Sequence, residues 1–147
     1  MRSFRFLIVV LCLVCWGCGG GDKLNRCSVE GTVKLDGTPV DNGFVSFKAE
    51  PGTPGPDVAG QIKNGKYSLP LKAGPVAGSY SVTITASVPT GNKIKAQYTG
   101  KEVDEYKQLI PPQYTGERGK SILNAKIVQG KNTVDFNLES EMKLISP

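Results

Sequence analysis

From Cys27 onward, apolar and polar residues alternate with a period of two, the spacing that turns one face of a β-strand to a core and the other to water. Ser28 to Leu35 shows it most simply: Val29, Gly31, Val33 and Leu35 share one face, and Ser28, Glu30, Thr32 and Lys34 the other. Asp36-Gly37 follows, and a glycine that accepts positive φ predicts a tight turn there. Val45 and Phe47 carry the inward face of the next strand, residues 43–49. Residues 50–60 hold three prolines and three glycines and read as a loop. Asn64-Gly65 is a second hairpin signal, joining 60–63 to 66–69, while Pro70 and Pro75 exclude a central strand between them. Residues 79–87 alternate again, with Tyr80, Val82, Ile84 and Ala86 inward. At the end, Leu123, Ala125 and Ile127 point in, residues 129–132 turn, and Val134, Phe136 and Leu138 return, predicting a C-terminal hairpin. Seven short strands without a long helix predict an all-β fold: a single antiparallel seven-stranded β-sandwich over residues 27–140, with 141–147 as a tail.

The alternation breaks at Pro89, and residues 88–120 read as an inserted, exposed loop with one helical turn over 102–108. This segment holds Lys93, Lys95, Lys101 and Lys107, the acidic cluster Glu102, Asp104 and Glu105, and Pro111-Pro112. It also contains an echo, Gln97-Tyr98-Thr99-Gly100 and Gln113-Tyr114-Thr115-Gly116, too short in period and too few in copies for a solenoid. Tyr98, Tyr106 and Tyr114 interleave with Lys93, Lys95 and Lys101, an arrangement that can stack on sugars or nucleotides. The plainer expectation is a loop folded over one end of the sandwich with its tyrosines packed.

The N-terminus has a different period altogether. After Arg2 and Arg5, residues 6–16 are uninterruptedly apolar. As a helix that run covers about 16 Å, short of a hydrocarbon core about 30 Å thick, so it reads as a signal peptide over 1–17, entered as a helix. Gly17 is small and precedes Cys18, and Gly19-Gly20-Gly21-Asp22 reads as a flexible tether, with 18–26 as the linking segment. Val14-Cys15-Trp16-Gly17-Cys18 resembles a lipobox, which makes Cys18 the expected lipidated residue; Cys15 is the poorer candidate because Val14 before it is not small. The chain is thus expected to be exported and lipid-anchored to a bacterial membrane, facing periplasm or cell surface.

Charge and cysteine count follow from that reading. Removing Arg2 and Arg5 lowers the formal net charge from +5 to +3, so the basic pI carries no nucleic-acid inference. Cys12 and Cys15 leave with the leader and Cys18 is acylated, so Cys27 has no intrachain partner; it is either buried, the usual fate of a free cysteine, or paired between molecules. The chain has no histidine, and so lacks the commonest general base and metal ligand. A serine hydrolase would have to use Ser-Lys chemistry, and no carboxylate spacing matches a calcium loop, around Asp36 and Asp41 or in the acidic cluster.

Val29-Glu30-Gly31-Thr32-Val33, Leu35-Asp36-Gly37-Thr38-Pro39-Val40 and Gly43-Phe44-Val45-Ser46-Phe47 resemble the opening of carboxypeptidase regulatory-like domains, which have a transthyretin-like (prealbumin-like) fold. Gly65-Lys66-Tyr67-Ser68-Leu69 and Gly78-Ser79-Tyr80-Ser81-Val82-Thr83-Ile84 are similar to that family's next two strands. Ile110-Pro111-Pro112-Gln113-Tyr114, with Gly130-Lys131-Asn132-Thr133-Val134-Asp135-Phe136-Asn137-Leu138, looks like a subgroup of small lipoproteins of the planctomycete type. The resemblance implies a non-catalytic domain, and the residues lead to no expected cofactor or metal. Asn64-Gly65 stands where that family commonly has an aspartate-rich turn, which argues against a calcium-like role. Intradiol ring-cleaving enzymes on a related sandwich bind iron through tyrosine and histidine, and this chain has no histidine to offer.

The functional expectation is a membrane-anchored, non-catalytic cell-envelope domain that presents loops to a protein or polysaccharide, with no nucleic-acid partner. The alternatives are a structural envelope component associating through strand edges and, last, an enzyme using Ser-Lys or carboxylate chemistry.

Overall fold

A computed structural model describes residues 24–117 and 121–140. The expected leader, Cys18, the expected tether up to Lys23 and the tail 141–147 lie outside the described residues. Eleven strands are present among the described residues: β1 (Ser28–Leu35), β2 (Thr38–Pro39), β3 (Asn42–Ala49), β4 (Val58–Lys63), β5 (Lys66–Leu69), β6 (Gly78–Thr85), β7 (Ser87–Lys95), β8 (Glu102–Gln108), β9 (Leu123–Ile127), β10 (Lys131–Thr133) and β11 (Phe136–Leu138). The one helix among them, α1 (Pro112–Thr115), is a single turn. The fold is all-β and mostly antiparallel, with more strands than the seven expected from alternation.

Nine strands form one sheet in the order β10-β1-β5-β4-β3-β6-β9, with β2 and β11 also paired to β1, while β7 and β8 form a separate two-stranded sheet. The two turn dipeptides act as their sequence implies. Asp36 and Gly37 have φ of 49° and 81°, and Asn64 and Gly65 have 49° and 72°; two successive positive values match the twist of the flanking strands. Asn64-Gly65 thereby sets Lys63 opposite Lys66 and Ile62 opposite Tyr67.

The C-terminal hairpin is a correction. β9 pairs with β6, whereas β10 and β11 cross over and pair in parallel with β1. Asn132 explains why the turn does not close: its side chain accepts from the Val128 N–H (2.9 Å) and donates to the Val128 carbonyl (2.8 Å). The side chain takes the backbone groups a returning strand would use, and the freed chain passes to β1, where Gly130 accepts from Ser28 N–H at 3.0 Å. Between β10 and β11 the chain passes over Gly31, where an added Cβ would lie 1.8 Å from the Val134 carbonyl oxygen. Tyr67 donates its hydroxyl to that oxygen at 2.7 Å, and Asp135 accepts from the Thr32 amide (2.7 Å) and hydroxyl (2.8 Å). The inward assignment of Gly31 thus has a specific cause: glycine admits a neighbouring backbone.

One core serves the whole nine-stranded sheet. Phe47 lies at its centre, with the rings of Tyr67, Tyr80 and Phe136 at 6.1, 6.2 and 6.4 Å. The inward set of β6 (Tyr80, Val82, Ile84) and Ala86 beyond it are buried as the pattern requires, and the Tyr80 hydroxyl is satisfied by both backbone groups of Val76. Cys27 is free and fully buried, which decides between its two expected fates.

Strand direction gives the body two ends. β1, β4, β6, β10 and β11 run one way, and β2, β3, β5 and β9 the other. The start of β1, the turn after β5 and the link from β9 to β10 therefore share one end. The turn after β1, the start of β3 and the exit of β6 toward β7 share the opposite end.

Candidate interaction hairpin

Residues 88–120 depart from the expected loop. Most of the segment is the β7–β8 hairpin, and residues 102–108, expected as a helical turn, form strand β8. The physical reason lies in the pairing. Lys93 faces Asp104 and Lys95 faces Glu102, so opposite charges sit across the ladder, while Ile94 faces Val103 on the other side. Opposite charges at facing positions favour the ladder, whereas a helix over Glu102, Asp104 and Glu105 would crowd like charges. The single helical turn falls later, at α1, where Pro112 can open a helix and Gly116 closes it with φ of 78°.

The hairpin stands clear of the body. Every residue of β7 and all but Glu105 of β8 are exposed. It is rooted at Ala86, whose carbonyl accepts from Leu109 N–H (2.7 Å) and whose N–H donates to the Gln108 side chain (3.1 Å), and at the buried Ile110. A register irregularity between Pro89 and Lys93 is clamped by Glu105. One Glu105 carboxylate oxygen accepts from the Thr90 hydroxyl (2.7 Å) and the Asn92 amide (3.2 Å). The Thr90 bond, then that of Asn92, holds the Glu105 carboxyl below its ordinary pKa.

The expected interaction residues separate into two groups. Tyr98 is 96% exposed at the tip, and Tyr106 is 63% exposed opposite Pro89, on the face that carries the Lys93–Asp104 and Lys95–Glu102 pairs. Lys93, Lys95 and Lys101 are exposed on the same hairpin. Tyr114 is a correction: it is only 8% exposed and belongs to the core. Its hydroxyl accepts from Glu139 N–H (3.3 Å) and its carbonyl from the Ser121 hydroxyl (3.4 Å). The plainer expectation of packed tyrosines therefore holds for Tyr114 and fails for Tyr98 and Tyr106.

The sequence echo has a structural cause. Both copies are a turn ended by a left-handed glycine, Gly100 at φ 63° and Gly116 at 78°. In both, the threonine hydroxyl accepts from the amide two residues on, Thr99 from Lys101 (3.5 Å) and Thr115 from Glu117 (3.3 Å). One copy turns a hairpin in solvent and the other caps the core.

Two features escaped the sequence reading: the aliphatic face of Ile94 and Val103, and the Thr90–Asn92–Glu105 clamp. The signal for the first was the alternation Asn92-Lys93-Ile94-Lys95, obscured by proline, glycine and a bulge. Two of the three candidate lysines are register partners of carboxylates, so the charge on this face is close to balanced, and Tyr98 and Tyr106 stand exposed beside it. Elsewhere, Asp36 is a structural tie, its carboxylate accepting from Ser140 N–H at 2.9 Å. Among the described residues no group of three or more His, Cys, Asp or Glu is gathered to hold a metal ion. Cys18 lies outside the described residues. No protein-family model, no curated protein and no solved structure matches this chain.

Proposed function

We propose that this chain is an exported, membrane-anchored, non-catalytic cell-envelope lipoprotein, a transthyretin-like β-sandwich of the carboxypeptidase regulatory-like kind. In this reading it presents the β7–β8 hairpin to an envelope protein or polysaccharide. One observation carries it: the hairpin leaves the body at the end opposite to the start of β1, where the chain arrives from Cys18. An anchor at one end and an exposed hairpin with two solvent-facing tyrosines at the other is the arrangement of a surface held out from a membrane. Aromatic rings with polar neighbours suit stacking on sugar rings or on a peptide.

The anchor is tested by Cys18→Ala, which releases the protein to the soluble fraction; continued sedimentation with membranes overturns it. The hairpin is tested by replacing residues 89–106 with Asn-Gly, which joins the partners Val88 and Lys107 in a two-residue turn. Crosslinking in the native envelope then captures a partner with the wild-type chain and loses it with this variant. Unchanged capture overturns the proposal.

The second reading, self-association through strand edges, is favoured by one feature: a two-stranded sheet leaves an outer edge on both β7 and β8. It expects the Cys18→Ala chain to elute as an oligomer that the hairpin replacement reduces to a monomer.

A further inference from the structure

We infer that the end of the body from which β1 starts is itself a lipid-contact surface, seated on the headgroup region of the membrane through Leu24 and Leu71 with Arg26 and Lys72 beside them. This rests on the proposed anchor at Cys18 and adds to it a second, non-covalent point of attachment.

Three observations converge. The first is an exposed apolar pair in one depression: Leu24 is 37% and Leu71 58% exposed, and the two line an open depression of about 680 Å³ with Arg26, Lys72 and Gln129. Leu71 is held out by a built turn, since Ala73 N–H donates to the Pro70 carbonyl at 2.9 Å and Arg26 donates a guanidinium N–H to the Gly74 carbonyl at 2.9 Å. The second is chain length. Five residues, Gly19 to Lys23, separate Cys18 from Leu24, and even fully extended they let Leu24 lie no farther than about 20 Å from the acylated residue. The third is charge. The cationic Arg26 and Lys72 lie beside the two leucines, the pairing of aliphatic and basic groups that suits an anionic interface. β1 runs away from this end and the β7–β8 hairpin leaves from the other, so seating here directs Tyr98 away from the bilayer.

The test uses the full chain, processed and acylated, in vesicles of phosphatidylethanolamine and phosphatidylglycerol with headgroup-level quencher lipids. A fluorophore is placed at Leu71→Cys or, as the distal control, Tyr98→Cys; Cys18 is acylated and Cys27 fully buried, so neither takes the label. The expected result is loss of emission from the Leu71 site and none from the Tyr98 site. As an unlabelled check, amide exchange over residues 70–77 slows on vesicle binding, and Leu24→Asp/Leu71→Asp restores the free rate. Equal emission from both sites in a chain that sediments with the vesicles overturns this surface and leaves the anchor standing. A chain with no acyl mass that stays in the supernatant overturns the anchor and this surface together. Protection over 70–77 that depends on protein concentration and not on vesicles assigns the depression to a second copy and overturns the inference.

Discussion

The nine-stranded body and the β7–β8 hairpin are written in the same two-residue period, yet one buries a face of nearly every strand and the other buries none. In the body, inward positions converge on Phe47 and its ring neighbours. In the hairpin, the inward-equivalent positions, Ile94 and Val103, face solvent and are opposed only to each other. Alternation specifies a pleated strand; whether its apolar face is covered depends on what the rest of the chain brings to it. In place of a core the hairpin has its backbone ladder and the Glu105 clamp on Thr90 and Asn92, local stability that does not depend on the body.

The largest expected effect breaks the body alone. Phe47→Ala should cost about 3–5 kcal/mol in urea unfolding, as large aromatic truncations in cores do, while replacing residues 89–106 with Asn-Gly should change stability by less than about 1 kcal/mol. Gly31→Ala comes next. A methyl group there meets the Val134 carbonyl, so the crossover strand must shift, at about 1–3 kcal/mol; loss of the chemical-shift signature of β10 and β11 with β5 retained would locate it.

Tyr67 gives a pH test of the same crossover. Burial, with Asp135 nearby adding to it, pushes its phenol well above the ordinary range. A folded value raised above the unfolded one means this stability is complete below about pH 10 and is lost as the pH climbs beyond it. Tyr67→Phe, lacking the bond to Val134, should be less stable at neutral pH by about 1 kcal/mol and show a shallower alkaline decline in thermal melts.

The smallest effect is confined to the hairpin. The Glu105 carboxyl is depressed, so the clamp is intact above about pH 4.3 and fails as the pH falls below it. Amide exchange at Asn92 should quicken there, and in Glu105→Gln at any pH, with no change at Val45 or Val82. A matching change in the body would mean that the two regions are not independent.

The two glycine turns and the inward faces of β1, β3 and β6 were legible because each is fixed within a few residues, by a backbone angle or by side-chain period. Three things were not. The fate of β10 and β11 turned on Asn132 taking the Val128 backbone groups, a contact that looks in sequence like an ordinary turn residue. Residues 102–108 carry no glycine or proline and no clean apolar alternation, so a strand was not legible there, and only pairing with β7 shows each of Glu102 and Asp104 opposite a lysine. The Tyr98 and Tyr114 echoes are the same local motif, and nothing within either repeat says which tyrosine meets a core.

The sequence by itself determined the strands with clean alternation, the two glycine turns, the absence of histidine chemistry and the pattern that makes Cys18 the expected anchor. Each of these follows from neighbours along the chain. Only the tertiary structure decided which strands lie side by side, which tyrosines face water, and that the start of β1 and the hairpin stand at opposite ends. Those outcomes depend on pairing between residues far apart in sequence, where a single amide or backbone carbonyl selects among partners that alternation leaves equivalent.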